Sequence, residues 1–291
     1  MSPLPHSNLP KMSSTKIPKS IALFGAGNMG GAMLESWIEA GVNPRDIIIH
    51  DPNLARETEG FLQTRGTKIN IPLDNTHPLV DVIVIAVKPQ IFEQMTTNVV
   101  RIMHENTLVI SIMAGVNLDA IRFRLPGSRA IVRAMPNLAA AIRRSMTVAI
   151  ANSFLKSEQK EVASWLLMAS GKLEWLTDER LMDAVTAVSG SGPAYIFYLI
   201  ECLTLAAIDA GLPSDLAERL ARETVSGSGE LLQRSDMSAA RLRRSVTSPG
   251  GTTAAALEQM VGEHGMLPLM VKAIGAAKKR SQELSYEASK I

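Results

Sequence analysis

The chain has 291 residues, of which 46% are hydrophobic and 20% charged, a composition that excludes an intrinsically disordered protein and suggests two folded domains. The formal net charge is only +2, so the charge balance gives no bulk electrostatic reason to bind nucleic acid or an anionic membrane. One cysteine, Cys202, excludes an internal disulfide framework, and the five scattered histidines predict no metal site. A reducing, cytoplasmic compartment is therefore expected.

The N-terminal half has the pattern of a parallel α/β sheet, after a tail over residues 1–19 that lacks an apolar signal segment and is predicted to be disordered. Apolar runs predict strands at 20–24, 46–51, 81–87, 107–113, 129–135 and 146–151. Periodic stretches predict helices at 29–40, 54–65, 91–104, 118–124 and 157–170. Continuous apolar strands that alternate with helices are typical of a parallel sheet covered on both faces.

The second half is predicted to be all helical. Helical patterns cover residues 181–188, 194–210, 214–234, 239–245, 252–261 and 267–286. The segment 194–210 carries only Glu201 and Asp209 as charges, so it must be buried on most sides, and a second copy of the chain would help to cover it. Small residues and a proline interrupt the apolar stretch 184–200, which is expected to be too short and too broken to span a membrane.

A glycine-rich turn follows the first predicted strand. Gly25-Ala26-Gly27-Asn28-Met29-Gly30 is a G-x-G-x-x-G pattern that opens the first helix. In such turns the first glycine allows the tight bend, the second lets the backbone approach a diphosphate, and the third allows close helix–strand packing. This context predicts a dinucleotide site, and a glycine turn with a merely structural role is the alternative.

Asp51 ends the second predicted strand, where an acidic residue binds the ribose hydroxyls of NAD and repels a 2′-phosphate. Arg56, at the start of the next helix, could still reach a 2′-phosphate. Alternatively, Asp51 and Asn53 simply cap that helix. These residues therefore leave the choice between NADH and NADPH open.

Three later strands end in candidate ligand-binding loops. Ala86-Val87-Lys88-Pro89, Met113-Ala114-Gly115 and Met135-Pro136-Asn137 follow the third, fourth and fifth strands. Ligands bind at the carboxyl ends of strands in open parallel sheets, so these exits predict a cleft along one edge. A lysine such as Lys88 at a strand exit can also be merely solvated.

Two helix starts in the second half are rich in glycine and hydroxyl residues. One is Ser189–Tyr195, for which a flexible turn with proline at the helix start is the alternative. The other is Val246–Thr253, where free N–H groups and hydroxyls would suit a carboxylate. Simple capping by Thr252 or Thr253 is the alternative there.

These motifs together resemble the pyrroline-5-carboxylate reductases. The residues that carry the resemblance are G-A-G-N-M-G at 25–30, A-V-K-P at 86–89, M-P-N at 135–137, S-G-S-G-P-A-Y at 189–195 and T-S-P-G-G-T-T at 247–253. They occur in the family's order and spacing over residues 20–286. The last segment, with the helix that follows it, is the family's most specific mark.

The resemblance implies a fold, an activity and an assembly. The fold is an N-terminal Rossmann-like parallel-sheet domain over 20–179, followed by an all-helical C-terminal substrate and dimerisation domain over 180–291. The activity is reduction of 1-pyrroline-5-carboxylate to L-proline, the last step of proline biosynthesis. The assembly is a homodimer formed through the helical domain, often built further into a ring of dimers, with the active site between one chain's cofactor domain and helical elements of the dimer.

The resemblance also assigns residues. The substrate would be bound by Ser248, Gly250, Gly251, Thr252 and Thr253, with the N–H groups of Gly251 and Thr252 on its carboxylate. Thr253 would lie near the ring nitrogen and Lys88 near the nicotinamide, and these two are the catalytic candidates. The cofactor would be bound by Gly25, Ala26, Gly27, Asn28, Met29, Asp51, Arg56, Ala86, Val87, Lys88, Pro89, Ala114, Gly115 and Asn137. The family slightly favours NADPH, whereas Asp51 departs from its usual polar or basic residue and argues for NADH.

Two alternatives belong to other classes. The β-hydroxyacid dehydrogenases share the glycine turn and a helical second domain, but they use a lysine in a K-x-x-x-N motif, and residues 181–205 contain no lysine. The second alternative is a non-catalytic protein of the same fold that senses NAD(P), because fold alone does not establish activity.

Overall fold

The structure is a computed structural model that describes residues 18–73 and 78–290. Most of the predicted tail, residues 1–17, lies outside the described residues. Pro18 is buried, and the Lys19 N–H donates a hydrogen bond of 3.0 Å to the Asp81 carboxylate. The folded part therefore includes two residues that the sequence pattern assigned to the tail.

Eight strands and eleven α-helices form the described chain. The strands are β1 (Ile21–Phe24), β2 (Ile47–His50), β3 (Lys68–Ile69), β4 (Val82–Ile85), β5 (Leu108–Ser111), β6 (Ala130–Met135), β7 (Ser145–Ala151) and β8 (Gly171–Trp175). The helices are α1 (Asn28–Glu39), α2 (Arg56–Thr64), α3 (Pro89–Arg101), α4 (Leu118–Arg124), α5 (Ser157–Met168), α6 (Met182–Val185), α7 (Gly192–Asp209), α8 (Ser214–Arg234), α9 (Ala239–Ser245), α10 (Thr252–Met260) and α11 (Met266–Lys290).

The strands form one sheet in the order β3-β2-β1-β4-β5-β6-β7-β8. The chain winds outwards from β1 in both directions, so the carboxyl end of β1 lies at the point where the strand order reverses, the usual ligand position in such sheets. All described pairs are parallel except β6–β7. Their connection, residues 136–144, is shorter than the dozen or so residues that a parallel crossover needs, so β7 turns back antiparallel.

The core lies on both faces of the sheet. Ile21 and Leu23 pack with α1 and α5 residues on one face, whereas Ala22 and Phe24 pack on the other. Trp37 of α1 is fully buried, and its indole N–H donates to the carbonyl oxygen of Leu166 at 2.8 Å. Burial of both faces explains why the strands are mostly apolar, without a strict alternation of apolar and polar residues.

A half-buried ion pair ties strand β6 to the short 3₁₀ helix Glu179–Leu181. The Arg133 guanidinium is almost fully buried and lies 2.9 Å from the Glu179 carboxylate, which also accepts the Leu118 N–H at the start of α4. Removal of one partner leaves the other charge buried without compensation, which is strongly destabilising.

We therefore expect Glu179→Ala to lower the free energy of unfolding by about 3 kcal/mol, because it leaves the Arg133 charge buried without a partner. Urea unfolding followed by circular dichroism measures this change. Arg180→Ala is the matched control, since that side chain pairs with Asp178 at the exposed surface. Equal urea midpoints for the two variants would contradict a structural role for the Arg133–Glu179 pair.

The chain divides into two compact units. The first comprises the sheet, its helices and the chain from Ala277 onwards, and the second is Ser191–Ala276. The first unit runs to Gly190, so it includes the 3₁₀ helix Glu179–Leu181 and α6. The boundary between functional domains near residue 179 stays a prediction.

In the second unit, α7 and α8 pack together, but among its described residues only Ala217 and Ala221 are buried. Large apolar side chains of α7 are exposed, with Phe197 at 52% and Leu205 at 68%. The chain from Glu179 to Asp209 is helical nearly throughout, since a π-helical turn at Thr186–Gly190 leads into α7. The expectation of a broken segment is therefore wrong. This stretch is long and apolar enough to cross a membrane by length and composition, and its most apolar 18-residue window has no buried residue within the chain.

Candidate functional site

The glycine-rich turn joins β1 to α1 and lies between the ends of β2 and β4. Gly25 has a φ of +88°, and its N–H donates to the His50 carbonyl oxygen at 2.9 Å. A Cβ on Gly25 would lie 2.7 Å from the Ala86 carbonyl oxygen. Both the left-handed conformation and the close approach of β4 therefore require glycine at this position.

The other two glycines of the motif differ in what surrounds them. A Cβ on Gly30 would collide with the Gly25 carbonyl oxygen, so Gly30 lets α1 pack directly on the turn. A Cβ on Gly27, which is the N-cap of α1, would meet no described atom within 4 Å. The open side of the turn is therefore at Gly27.

The amino end of α1 has the features of an anion-binding site. None of the described side chains caps it, and the sequence places no acidic residue in its first turn. The first N–H groups of a helix have no intrahelical partners and carry the positive end of the helix dipole. These residues fit the diphosphate of a dinucleotide, because an open glycine backbone adjoins a helix start without a side-chain cap.

Asp51 is bonded to the glycine turn. Its Oδ2 accepts the Ala26 N–H at 2.8 Å and its Oδ1 accepts the Asn53 N–H at 2.9 Å. Helix α2 has Ala55 as its N-cap, without a side-chain cap from the described residues. The alternative that Asp51 and Asn53 cap this helix is therefore wrong. Arg56 is the exposed first residue of α2.

The exits of β4 and β5 lie at the same edge of the sheet as the glycine turn. Ala86 and Val87 line Gly25 from the β4 side. Lys88 is exposed at the N-cap of α3, and Pro89 is the first residue of that helix. Beyond β5, Ala114 is half-buried, and Gly115 has a φ of +74° with Leu284 of α11 packed against it.

Asn137, at the exit of β6, is engaged within the protein. Its Oδ1 accepts the Ala139 N–H at 3.2 Å, and its Nδ2 donates to the Ser189 carbonyl oxygen at 3.1 Å. The Ser189 hydroxyl donates in turn to the Met146 carbonyl oxygen. Asn137 thus links the exit of β6 to the π-helical turn at Thr186–Gly190.

In the second unit, a tight turn precedes α10. The Gly251 N–H donates to the Ser248 carbonyl oxygen at 3.1 Å, and Gly250 has a φ of +70°. With Pro249 before it, Gly250 occupies the position where a type II turn requires a positive φ. A Cβ on Gly251 would lie 2.5 Å from the Ser248 Oγ, so that hydroxyl lies over the helix start.

This turn corrects two expectations. The Gly251 N–H is used inside the turn, so it is not a free donor for a carboxylate. Gly251 itself is the N-cap of α10 and, among the described residues, no side chain caps it. Capping by Thr252 or Thr253 is therefore not observed. The N–H groups of Thr252 and Thr253 remain in the first helical turn beside the Ser248 hydroxyl, which suits a carboxylate ligand.

Asn70 is a residue of this region that the sequence analysis missed. It follows the two-residue strand β3 and bonds to the backbone of Asp51 with both ends of its side-chain amide. No hydrophobic pattern marks so short a strand, so the sequence offered no signal for its position.

The comparisons with known proteins cover both units. Residues 179–284 match the family model for pyrroline-5-carboxylate reductase dimerisation, and residues 20–115 match the model for coenzyme F420-dependent NADP oxidoreductases. A pyrroline-5-carboxylate reductase of Synechocystis is 38% identical over 270 residues, which cover 91% of this chain and 97% of that protein. The chain belongs to the pyrroline-5-carboxylate reductase family.

Solved structures of the family support this membership. The reductase from Coxiella burnetii superposes with a TM-score of 0.82 at 35% identity, covering 92% of this chain and 98% of that one. The Plasmodium falciparum protein, solved with NADP bound, gives a TM-score of 0.77 at 26% identity, covering 91% and 98%. The resemblance drawn from the motifs is confirmed, the chain is an oxidoreductase of this family that uses a nicotinamide cofactor, and the β-hydroxyacid dehydrogenase alternative is set aside.

Proposed function

We propose that the chain reduces 1-pyrroline-5-carboxylate to L-proline with NADPH or NADH, the last step of proline biosynthesis. The observation that carries this proposal is the uncapped start of α10 beside the Ser248 hydroxyl, in a chain that also has an open dinucleotide turn. A cyclic imine with a carboxylate needs an anion cradle of this kind. When bound, the nicotinamide supplies the hydride that reduces the imine carbon.

Residues of the first unit hold the cofactor in this proposal. Gly25 to Met29 bind its diphosphate, and Asp51 lies where the adenosine ribose is recognised. Ala86 to Pro89 and the Ala114-Gly115 exit lie along the same edge towards the nicotinamide end. The Asn137 amide is already bonded within the protein, so Asn137 supports cofactor binding indirectly, through the π-helical turn to which it is bonded.

The second unit binds the substrate in this proposal. The Ser248 hydroxyl and the N–H groups of Thr252 and Thr253 bind the carboxylate, and the positive φ of Gly250 shapes the turn. The Thr253 hydroxyl orients the ring nitrogen, which ends protonated in the product. A threonine hydroxyl is a weak acid, so the proton comes from a pre-protonated iminium or a bound water. Lys88 lies at the nicotinamide end and keeps positive charge there.

In this proposal the charge at Asp51 determines the preference of the enzyme between NADH and NADPH. We expect Asp51→Asn to shift the ratio of kcat/KM values towards NADPH by about tenfold, because repulsion between the carboxylate and a 2′-phosphate is removed. The measurement is steady-state kinetics with both cofactors. Arg56→Ala serves as the opposite control, because loss of this cation is expected to lower the kcat/KM value for NADPH and not that for NADH. An unchanged ratio in Asp51→Asn would contradict the placement of the adenosine ribose at Asp51.

The exposed apolar faces of the second unit are explained by a partner. A helix as apolar as α7 does not stay in water uncovered, and the family model matched here is a dimerisation model. We propose a homodimer through the helical unit, with a ring of dimers as its further assembly, and a cytoplasmic enzyme that binds neither nucleic acid nor membrane. Sedimentation analysis without detergent tests this assembly, since a monomer, or a chain that needs lipid, would contradict it.

The experiment that tests the proposed function is a steady-state assay with pyrroline-5-carboxylate. Oxidation of NADPH and of NADH is followed in parallel by absorbance. Turnover supports the reductase, whereas cofactor binding without turnover would favour the NAD(P)-sensing alternative.

A further inference from the structure

Asn70 holds Asp51 from both sides of its peptide backbone. The Asn70 Oδ1 accepts the Asp51 N–H at 2.9 Å, and the Asn70 Nδ2 donates to the Asp51 carbonyl oxygen at 2.8 Å. The N–H of Asn70 donates to the Ile49 carbonyl oxygen at 2.8 Å. Three hydrogen bonds thus tie the end of β3 to the exit of β2, although β3 itself is only two residues long.

The hydrogen bonds continue into the glycine turn. The Asp51 carboxylate, whose backbone Asn70 fixes, accepts the N–H groups of Ala26 and Asn53. A carboxylate has about four acceptor positions, so these two bonds leave acceptors for ribose hydroxyls. The direction of those remaining acceptors depends on how the Asp51 backbone is held.

Asparagine is suited to this position for two reasons. Its φ is +48°, a left-handed conformation that asparagine, aspartate and glycine adopt far more readily than other residues. The side chain must also offer an acceptor to an N–H and a donor to a carbonyl oxygen. A carboxylate in its place would set a negative oxygen against the Asp51 carbonyl, and glycine would keep the conformation but lose both bonds.

We propose that Asn70 is a positioning residue for cofactor recognition, which acts through Asp51 on both the ribose site and the glycine turn. This inference rests on the proposed dinucleotide site of the reductase. It assigns a role to the end of strand β3, which the resemblance to the family did not mark.

The test uses Asn70→Gly in the full-length protein, because this variant keeps the left-handed backbone and deletes only the side-chain bonds. We expect the KM and the dissociation constant for NADH to rise about fivefold, since one or two hydrogen bonds of ordinary net strength are lost from the positioning of Asp51. The kcat at saturating cofactor stays within twofold of wild type. A merely structural role would not separate KM from kcat in this way.

The matched control is Asn43→Gly, which deletes a side-chain bond to the Arg45 N–H at the opposite end of β2. We expect this control to leave NADH binding unchanged. The double variant of Asn70→Gly with Asp51→Ala should bind NADH no more weakly than Asp51→Ala alone, because Asn70 acts through Asp51.

NADH binding, measured by calorimetry, needs no turnover, so failure of the reductase assay and failure of this inference are distinguishable. An Asn70→Gly protein that is folded and binds NADH as tightly as the wild type overturns the inference. Additive losses in the double variant overturn it as well. If Asn70→Gly does not fold, Asn70→Asp supplies the test, with the same rise in the NADH dissociation constant expected from the lost donor.

Discussion

Replacement of Gly27 by alanine is expected to raise the KM for the nicotinamide cofactor at least about tenfold while the free energy of unfolding stays within about 0.5 kcal/mol of wild type. The reason is that a Cβ at Gly27 meets no described protein atom within 4 Å and lies on the open side of the turn. The added methyl group therefore obstructs only a ligand that approaches the backbone closely. Steady-state kinetics and urea unfolding of the same preparation measure the two quantities.

Two further glycines supply the comparison. In Gly30→Ala the new methyl group collides with the Gly25 carbonyl oxygen, so both cofactor affinity and stability fall. In Gly60→Ala, on exposed α2, the free energy of unfolding rises by about 1 kcal/mol without a change in cofactor affinity, because alanine is the better helix former. If Gly27→Ala binds the cofactor as tightly as wild type, the diphosphate does not lie at this turn.

Replacement of Thr253 by valine is expected to lower kcat about 100-fold, with the KM for the cofactor unchanged. Valine keeps the shape of threonine and removes the hydroxyl that orients the ring nitrogen, and loss of a group that assists proton transfer typically lowers rates by about 10²–10⁴. Because the hydroxyl is only weakly acidic, we expect an effect at the lower end of that range of rates. Single-turnover kinetics at saturating substrate isolate this step.

Thr247 is the matched control in the same segment. Its hydroxyl donates to the Arg243 carbonyl oxygen at 2.7 Å, so it is used inside the protein, and Thr247→Val should leave kcat unchanged. Ser248→Ala should instead raise the KM for the substrate, because its hydroxyl is proposed to bind the carboxylate. Equal kcat values for Thr253→Val and Thr247→Val would exclude a role for the Thr253 hydroxyl.

The sheet was predictable from the sequence where strands are buried on both faces. Six of its strands are mostly apolar runs, and these were found close to their observed bounds. Strand β8 was missed because its residues alternate between half-buried and exposed at the sheet edge, and they directly follow the helix α5 pattern. The antiparallel direction of β7 depends on the length of one connection, which apolar patterns do not report.

The candidate site was predictable where backbone conformation restricts the residue type. Glycines at 25, 30 and 250 are required by a positive φ or a close approach, and such requirements leave a visible motif. The partners of polar side chains leave no such mark. The bond from Asp51 to the Ala26 N–H and the use of the Gly251 N–H inside its own turn follow from three-dimensional positions alone.

The most direct test of the proposed reaction is to trace the transferred hydrogen. The enzyme is supplied with pyrroline-5-carboxylate and a cofactor deuterated at C4 of the nicotinamide, and the product is examined by NMR. We predict L-proline with deuterium on the former imine carbon, next to the ring nitrogen. Proline without deuterium, or no proline although the cofactor binds, would contradict the proposal that this chain is a pyrroline-5-carboxylate reductase acting by direct hydride transfer.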